Sequence, residues 1–159
     1  LFRSSAASDV YKRQAHSPKA LEIVLKSIRS FSSGNIICIF GCGGERDKGK
    51  RPNMGRIAEK FSNKLIITND NPRLEDPNKI KEDITKGISK VSKTHFIPNR
   101  KEAIQFGLKL LKKSKKGSTL LIAGKGHENY QEMKDKRIYF SDKNAIEEII
   151  NVSLSLIHI

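Results

Sequence analysis

Residues with chemically useful side chains cluster in three short segments, and the tetrapeptide Asp70-Asn71-Pro72-Arg73 is the most informative of them. It combines a carboxylate, an amide, a rigid proline and a guanidinium, a set that can bind a zwitterionic amino acid. The guanidinium of Arg73 suits bidentate recognition of a carboxylate, a geometry that lysine cannot match. A surface salt bridge is the competing interpretation, so the tetrapeptide predicts either an amino-acid-binding turn or an ordinary charged turn.

The other two segments combine glycines with charged residues. In residues 41–51, glycines follow an apolar run, which lets backbone N–H groups approach an anion while nearby cations add positive charge. This segment matches neither the nucleotide-binding phosphate loop nor the dinucleotide fingerprint. In residues 124–128, His127 and Glu128 could act as an acid–base pair. Neighbouring side chains rarely point the same way, so binding or structural roles are favoured.

The elements that carry these segments alternate between amphipathic helices and short apolar strands. Caps such as Ser17-Pro18 mark helix starts, and the isoleucine-rich runs are typical of strands buried on both faces. This alternation predicts an α/β fold, a Rossmann-like three-layer domain with a mostly parallel sheet. We expect helices that begin near Pro18, Pro52, Pro77, Asn99 and Asp142, strands at 35–40, 65–68, 95–97 and 119–123, and a hairpin that joins 130–133 to 137–140.

Each of the three segments follows one of the predicted strands. Open α/β sheets bind ligands at the carboxyl ends of their strands, so we expect the three segments to meet there and form a binding site. Residues 1–14 and 152–159 show neither caps nor hydrophobic periodicity. We therefore expect them to be non-native tails that flank one domain of residues 15–151.

Composition limits the classes of protein. With 159 residues and 36% hydrophobic content, the chain is suited to one domain with a real core. No apolar run approaches the roughly 20 residues of a membrane span, and no secretory signal is evident, so we expect no membrane and a cytoplasmic location. Cys38 is expected in the core, and Cys42 is expected to be a packed thiol rather than a reactive one.

The net charge of +14 raises nucleic acid as a partner, because lysine and arginine neutralise phosphates. However, the lysines are dispersed along the chain and only 6% of residues are aromatic, so platforms for stacking bases are scarce. A solvated basic surface, or a site for anionic substrates, explains the charge about as well. A basic nucleic-acid-binding α/β domain stays as an alternative function.

Taken in order, several motifs resemble the C-terminal domain of MurE-type Mur ligases over nearly all of residues 15–151. The motifs are Ala15-His16-Ser17-Pro18, residues 41–52, 70–73 and 124–130, and Ser141-Asp142. The resemblance implies a parent ligase that uses ATP and Mg²⁺ to convert the terminal carboxyl of UDP-MurNAc-L-Ala-D-Glu into an acyl phosphate in peptidoglycan precursor synthesis. An amino acid then attacks the acyl phosphate, and Asp-Asn-Pro-Arg implies that this amino acid is meso-diaminopimelate.

The resemblance also implies roles for individual residues. Arg51, Asn71 and Arg73 should hold the carboxylates of diaminopimelate, and Gly124 and Glu128 should engage its distal amino group. Asp70 and Pro72 complete the motif, with Asp70 orienting Arg73, while His16 and Lys48 should face the nucleotide or the acyl phosphate. No catalytic residue and no metal ligand is expected in the chain. Lysine, which lacks the second carboxylate, would leave a guanidinium unpaired and be rejected by roughly 10⁴-fold or more.

The chain departs from the family pattern in three places. Arg13-Gln14 precede Ala15 where Asp-Tyr is usual, and Glu45 replaces the commoner aspartate. The Gly-x-x-Gly-Lys-Ser/Thr phosphate loop is also missing, so we expect the central ATP-binding domain and the N-terminal UDP-sugar domain to lie outside this chain. The chain alone should therefore be inactive. A lysine-adding or sibling Mur ligase is the nearest alternative.

Overall fold

The computed structural model describes residues 2–3 and 9–157, with side chains for residues 9–152. Six strands form one sheet, and two more form a separate hairpin. The strands are β1 (Phe2–Arg3), β2 (Asp9–Arg13), β3 (Ile36–Phe40), β4 (Lys64–Ile67), β5 (Thr94–Phe96), β6 (Thr119–Ala123), β7 (Tyr130–Met133) and β8 (Lys136–Tyr139). The helices are α1 (Pro18–Phe31), α2 (Lys50–Phe61), α3 (Pro77–Thr85), α4 (Arg100–Lys113) and α5 (Asp142–Ile157), and a short 3-10 turn spans Val91–Lys93.

Side-chain caps begin three of the helices where the sequence predicted them. The side chains of Ser17, Asp76 and Asn99 accept hydrogen bonds from the backbone N–H groups of Ala20, Asn78 and Glu102. Each cap satisfies one of the donors that a helix start leaves without an intrahelical partner.

The sheet separates two hydrophobic layers. The strand order is β1-β2-β6-β3-β4-β5, and all pairs are parallel except β1 with β2. Helices α1, α2 and α3 pack on one face, and α4 and α5 pack on the other. Residues 36–40 and 119–123 are buried throughout and alternate between the two layers. The three-layer, mostly parallel α/β prediction is therefore confirmed.

The chain reverses direction across the sheet between β3 and β6. From β3 it moves outward through β4 and β5, and α4 then returns it to β6 on the other side of β3. The connections that leave β3 and β6 consequently diverge and open a crevice at the carboxyl ends of these strands. All three segments that the sequence singled out follow β3, β4 or β6 at this edge.

The structure corrects three boundaries. Asp9–Arg13 forms β2 beside β6, with Val10 buried, so the exclusion of residues 1–14 from the fold is wrong for this segment. Helix α5 runs to Ile157, past the expected domain end at 151. Helix α2 begins at Lys50 rather than Pro52, which puts Arg51 in its first turn. Residues 1, 4–8 and 158–159 of the two tails lie outside the described ranges. The non-native origin of the tails therefore stays a prediction.

Candidate functional site

The glycine loop, residues 41–49 after β3, packs directly on the turn formed by residues 70–73. The N–H of Gly44 donates to the carbonyl of Asn71 at 2.8 Å. A Cβ at Gly44 would stand 1.9 Å from the Pro72 carbonyl oxygen, so this contact requires glycine. The two segments therefore form one wall of the crevice.

Arg73 is held at the junction of these segments. Its backbone has a positive φ of 54°, a conformation that costs a non-glycine residue about 1 kcal/mol or more and is often found at functional sites. Its Nη1 donates to the carbonyls of Gly44 at 2.9 Å and Asn71 at 3.3 Å, and its Nε lies 2.8 Å from Oε2 of Glu132. Within residues 9–152, no hydrogen bond involves Nη2 of Arg73. The guanidinium is thus fixed with one donor group left over.

The β7–β8 hairpin supplies the partner of Arg73. The N–H of Arg73 donates to the carbonyl of Glu132 at 3.0 Å, and its own carbonyl accepts from the N–H of Lys134 at 2.6 Å. The Glu132 carboxylate also accepts from Arg137 at 2.9 Å. Hydrogen bonding to Arg137, together with the charge of Arg73, lowers the pKa of Glu132, which keeps it ionised near neutral pH. Sequence reasoning missed this residue because the two segments are distant along the chain.

A fully buried lysine organises the other side of the turn. The Nζ of Lys125 donates to Oδ1 of Asn71 and to the carbonyl of Tyr130, both at 2.8 Å, and lies 3.3 Å from Oδ1 of Asp70. Burial lowers the pKa of Lys125, and the nearby Asp70 carboxylate opposes that shift. Lys125 therefore fixes the Asn71 amide, whose Oδ1 also accepts from the N–H of Glu132 at 3.0 Å.

Carboxylates and an imidazole gather around Lys125. His16 lies with Nδ1 3.9 Å from Asp70 and Nε2 3.7 Å from Glu128, and Glu128 lies 3.9 Å from Lys125. Oδ1 of Asp70 and Oε2 of Glu128 are buried and form no hydrogen bond within the described residues. The expected role of Asp70 in orienting Arg73 is not what the structure shows, because its carboxylate faces Lys125 and His16 while Glu132 pairs with Arg73.

Gly124 belongs to the same cluster. Its φ of +115° is accessible to glycine but strained for other residues, and a Cβ there would lie 3.4 Å from Oδ2 of Asp70. The structure thus brings together five of the residues singled out from the sequence: His16, Asp70, Asn71, Gly124 and Glu128. The neighbour of Glu128 in this arrangement is His16, whereas His127 is exposed.

Arg51 lies apart from the crevice. Its side chain is 0% exposed, and its two terminal nitrogens bond to Glu75, to Asp83 and to the Gly43 carbonyl at 2.7 to 3.0 Å. A ligand carboxylate would have to displace Glu75 to reach it. The expected direct contact between Arg51 and a substrate carboxylate therefore does not fit this geometry.

Arg46, which the sequence reading did not single out, has the exposure that Arg51 lacks. A Cβ at Gly43 would lie 3.0 Å from Nη1 of Arg73 and 3.5 Å from Cγ of Arg46, so both arginines flank Gly43. The sequence gave no local signal that would distinguish Arg46 from Arg51, because both lie in the same charge-rich segment. Lys48 is also exposed, with Nζ 3.7 Å from Glu75.

The cysteines carry no reactive role. Burial raises the pKa of both Cys38 and Cys42 to about 12, so each stays a protonated thiol near neutral pH, as expected for packed residues. Among residues 9–152, no three histidine, cysteine or acidic side chains are grouped to hold a metal ion. In the same range, no helix combines the length and apolar composition that crossing a bilayer requires.

A family profile described as Mur ligase, glutamate ligase domain, matches residues 3–126. The chain belongs to the Mur ligase family. The match includes β2, the whole glycine loop and the first three residues of the 124–128 segment, and it ends before the β7–β8 hairpin. Two curated Mur ligase relatives are named UDP-N-acetylmuramoyl-L-alanyl-D-glutamate--2,6-diaminopimelate ligase, the second with the suffix 1. The relative from Prochlorococcus marinus is 46% identical over 90% of this chain, and that from Clostridium acetobutylicum is 49% identical over 89%.

Solved structures agree with the Mur ligase assignment. A structure of a UDP-N-acetylmuramoyl-L-alanyl-D-glutamate--2,6-diaminopimelate ligase covers 96% of this chain with a TM-score of 0.87 and 39% identity. A folylpolyglutamate synthase from Mycobacterium tuberculosis matches with a TM-score of 0.57 at 14% identity, a likeness that shows the fold alone. The chain spans only 28% and 29% of the lengths of the two curated relatives and 31% of the first solved structure.

Proposed function

We propose that this chain is the C-terminal, amino-acid-binding domain of an ATP-dependent ligase that adds meso-diaminopimelate to UDP-MurNAc-L-Ala-D-Glu. The names of its relatives support this substrate pair, and their greater length supports further domains in the intact ligase. In this reaction, the amino group of diaminopimelate attacks the activated carboxyl carbon, forms the amide and releases phosphate. The chain's own contribution is to bind and orient the attacking amino acid.

The observation that carries the proposal is the fixed guanidinium of Arg73. Glu132, Gly44 and Asn71 hold it, so its Nη2 is presented without any need to order a flexible side chain on binding. A carboxylate placed there would gain a charge-assisted hydrogen bond from a preorganised donor. The exposed Arg46, which also lies beside Gly43, would supply the second guanidinium for the same end of the ligand, in place of Arg51.

The opposite charge lies across the crevice. Glu128 is 17% exposed, so a ligand amino group can reach its carboxylate. The left-handed backbone of Gly124 lies in the same cluster. One cationic wall and one anionic cluster match an amino acid that carries carboxylate and ammonium groups at both ends, as diaminopimelate does.

ATP supplies the phosphoryl group that activates the carboxyl, with Mg²⁺ as its metal partner in the intact ligase. The residues of this chain fit only the edge of such a site. The anion-binding position of the glycine loop is already filled by Glu75, which accepts from the Glu45 N–H and from Arg51. Exposed Lys48 and His16 are the groups that would face the nucleotide phosphates or the activated carboxyl.

Arg73→Ala in the intact ligase tests the proposal. We expect kcat/KM for diaminopimelate to fall by roughly 10- to 100-fold, because the charge-assisted hydrogen bond from Nη2 contributes about 1.5–3 kcal/mol. Acyl-phosphate formation, which does not need the amino acid, should be retained. Amide formation and acyl-phosphate formation are measured separately on the same enzyme.

Arg56→Ala is the matched control, because Arg56 is an exposed arginine on α2 whose side chain bonds only to Asn53 among the described residues. It should leave both activities unchanged. Unaltered use of diaminopimelate by the Arg73→Ala enzyme would refute the proposal. A wild-type ligase that uses lysine in place of diaminopimelate would instead identify a lysine-adding relative.

A further inference from the structure

Glu75 fills an anion-binding cradle built by the glycine loop and the first turn of α2. Its Oε1 and Oε2 accept from the two terminal nitrogens of Arg51 at 2.7 and 2.8 Å. Oε2 also accepts from the backbone N–H of Glu45 at 3.1 Å, and Lys48 Nζ lies 3.7 Å from Oε1. A backbone N–H, an arginine fork and a lysine form the kind of concavity that usually receives a free anion. In this chain the anion is its own side chain.

Arg51 connects that carboxylate to two other parts of the fold. Its Nη2 donates to the Gly43 carbonyl at 3.0 Å, and its Nη1 donates to Asp83 on α3 at 3.0 Å. Arg51 is 0% exposed and Glu75 is 13% exposed, so water screens this pair little. The pair therefore ties the glycine loop to the residues immediately before and within α3.

The residues that this pair fixes stand directly before Arg46. Arg51 holds the Gly43 carbonyl, and Glu75 holds the N–H of Glu45, whose φ of 56° is a left-handed conformation that requires support in a non-glycine residue. Between them, Gly44 is bonded to Asn71 and to Arg73. Loosening Glu75 would therefore release the loop that sets the direction of Arg46.

We propose that Glu75 is a positioning residue for the amino-acid substrate: with Arg51, it holds the glycine loop so that Arg46 stands beside Arg73 at one end of the crevice. This inference rests on the proposed function of the crevice. It differs from a role as an internal inhibitor that the substrate carboxylate displaces, because a positioning residue stays bonded to Arg51 while the amino acid is bound.

Glu75→Gln in the intact ligase tests the inference, with Glu82→Gln on the exposed face of α3 as the matched control. We expect the KM for the amino acid to rise between about 10- and 100-fold, because a displaced Arg46 would lose its charge-assisted hydrogen bond to the substrate carboxylate. The value of kcat at saturating amino acid, and the KM values for ATP and for the UDP-linked substrate, should change little. A residue that acted only on stability would not raise one KM alone.

Glu75→Asp is the second variant, since it keeps the charge but shortens the reach, and it should give an intermediate rise in KM even if Glu75→Gln folds poorly. Thermal unfolding of each variant identifies the folded ones. An unchanged KM in a folded variant would overturn the inference, and a lower KM would identify the inhibitor role instead. These outcomes do not depend on the substrate assignment, because the KM is measured for whichever amino acid the wild-type ligase accepts. Failure of the wild-type ligase to use diaminopimelate would overturn the proposed function alone.

Discussion

At the scale of single residues, the environment of Arg73 bears on how strongly the proposed site can prefer diaminopimelate over lysine. If lysine were bound, Glu132, Gly44 and Asn71 would still accept from Arg73, so the guanidinium would lose a partner only at Nη2. Discrimination then depends on that donor and on exposed Arg46. Two charge-assisted hydrogen bonds of about 1.5–3 kcal/mol each correspond to roughly 10²- to 10⁴-fold, so the 10⁴-fold expected from the sequence is an upper value.

Arg46→Ala in the intact ligase tests the proposal that Arg46, rather than Arg51, binds the substrate carboxylate. We expect kcat/KM for diaminopimelate to fall by about 10- to 100-fold through loss of one charge-assisted contact. Arg56→Ala should have no effect. If Arg46→Ala is silent while Arg51→Lys abolishes diaminopimelate use without lowering stability, the carboxylate contact belongs to Arg51.

At the scale of elements, sequence patterns located most helices and strands because their signals are local. The caps at Ser17 and Asn99 and the apolar run of β6 are examples. Pro52 was a misleading helix start, because α2 begins two residues earlier and turns Arg51 inward. β2 escaped notice because it is short and polar, with Val10 as its one fully buried side chain.

The side-chain pairs that shape the site gave no local signal at all. Lys125 bonds to Asn71 across 54 positions in the chain, and Arg51 bonds to Glu75 across 24. Hydrophobic periodicity records which face of an element is buried, but not which polar groups meet once elements pack. The residues of the 70–73 and 124–128 motifs at the candidate site could therefore be predicted, whereas Arg46 and supporting partners such as Glu132 required the three-dimensional structure.

The starts of α4 and α5 are joined by a buried ion pair. Arg100 and Asp142 are both 0% exposed, and the Nε and Nη2 atoms of Arg100 lie 2.8 and 2.9 Å from the carboxylate. Asp142→Ala should lower the free energy of unfolding by about 3–5 kcal/mol, because it leaves a buried charge unpaired. Urea denaturation of the chain measures this change.

The exposed pair of Lys101 with Glu148 joins the same two helices and is the matched control. Glu148→Ala should cost far less, since water and salt screen exposed ion pairs. Equal losses in the two variants would contradict the view that burial makes the Arg100–Asp142 pair important.

At the scale of the whole molecule, the binding crevice lies at one edge of a domain that spans under a third of its relatives' length. Its walls come from three connections of one sheet and from a hairpin that docks on them, so the proposed amino-acid site would be built from this chain's own residues. The activating phosphate loop is missing from its sequence. The amino acid and the activated carboxyl would therefore meet only in the intact ligase.

The most direct test is the ratio of kcat/KM for meso-diaminopimelate to that for L-lysine, measured on the intact ligase that carries this chain. The account predicts a preference for diaminopimelate of roughly 10²- to 10⁴-fold, from the guanidinium donors that lysine leaves unfilled. Arg73→Ala should reduce that ratio mainly by weakening diaminopimelate use. A wild-type ligase that uses lysine as well as or better than diaminopimelate would contradict the account.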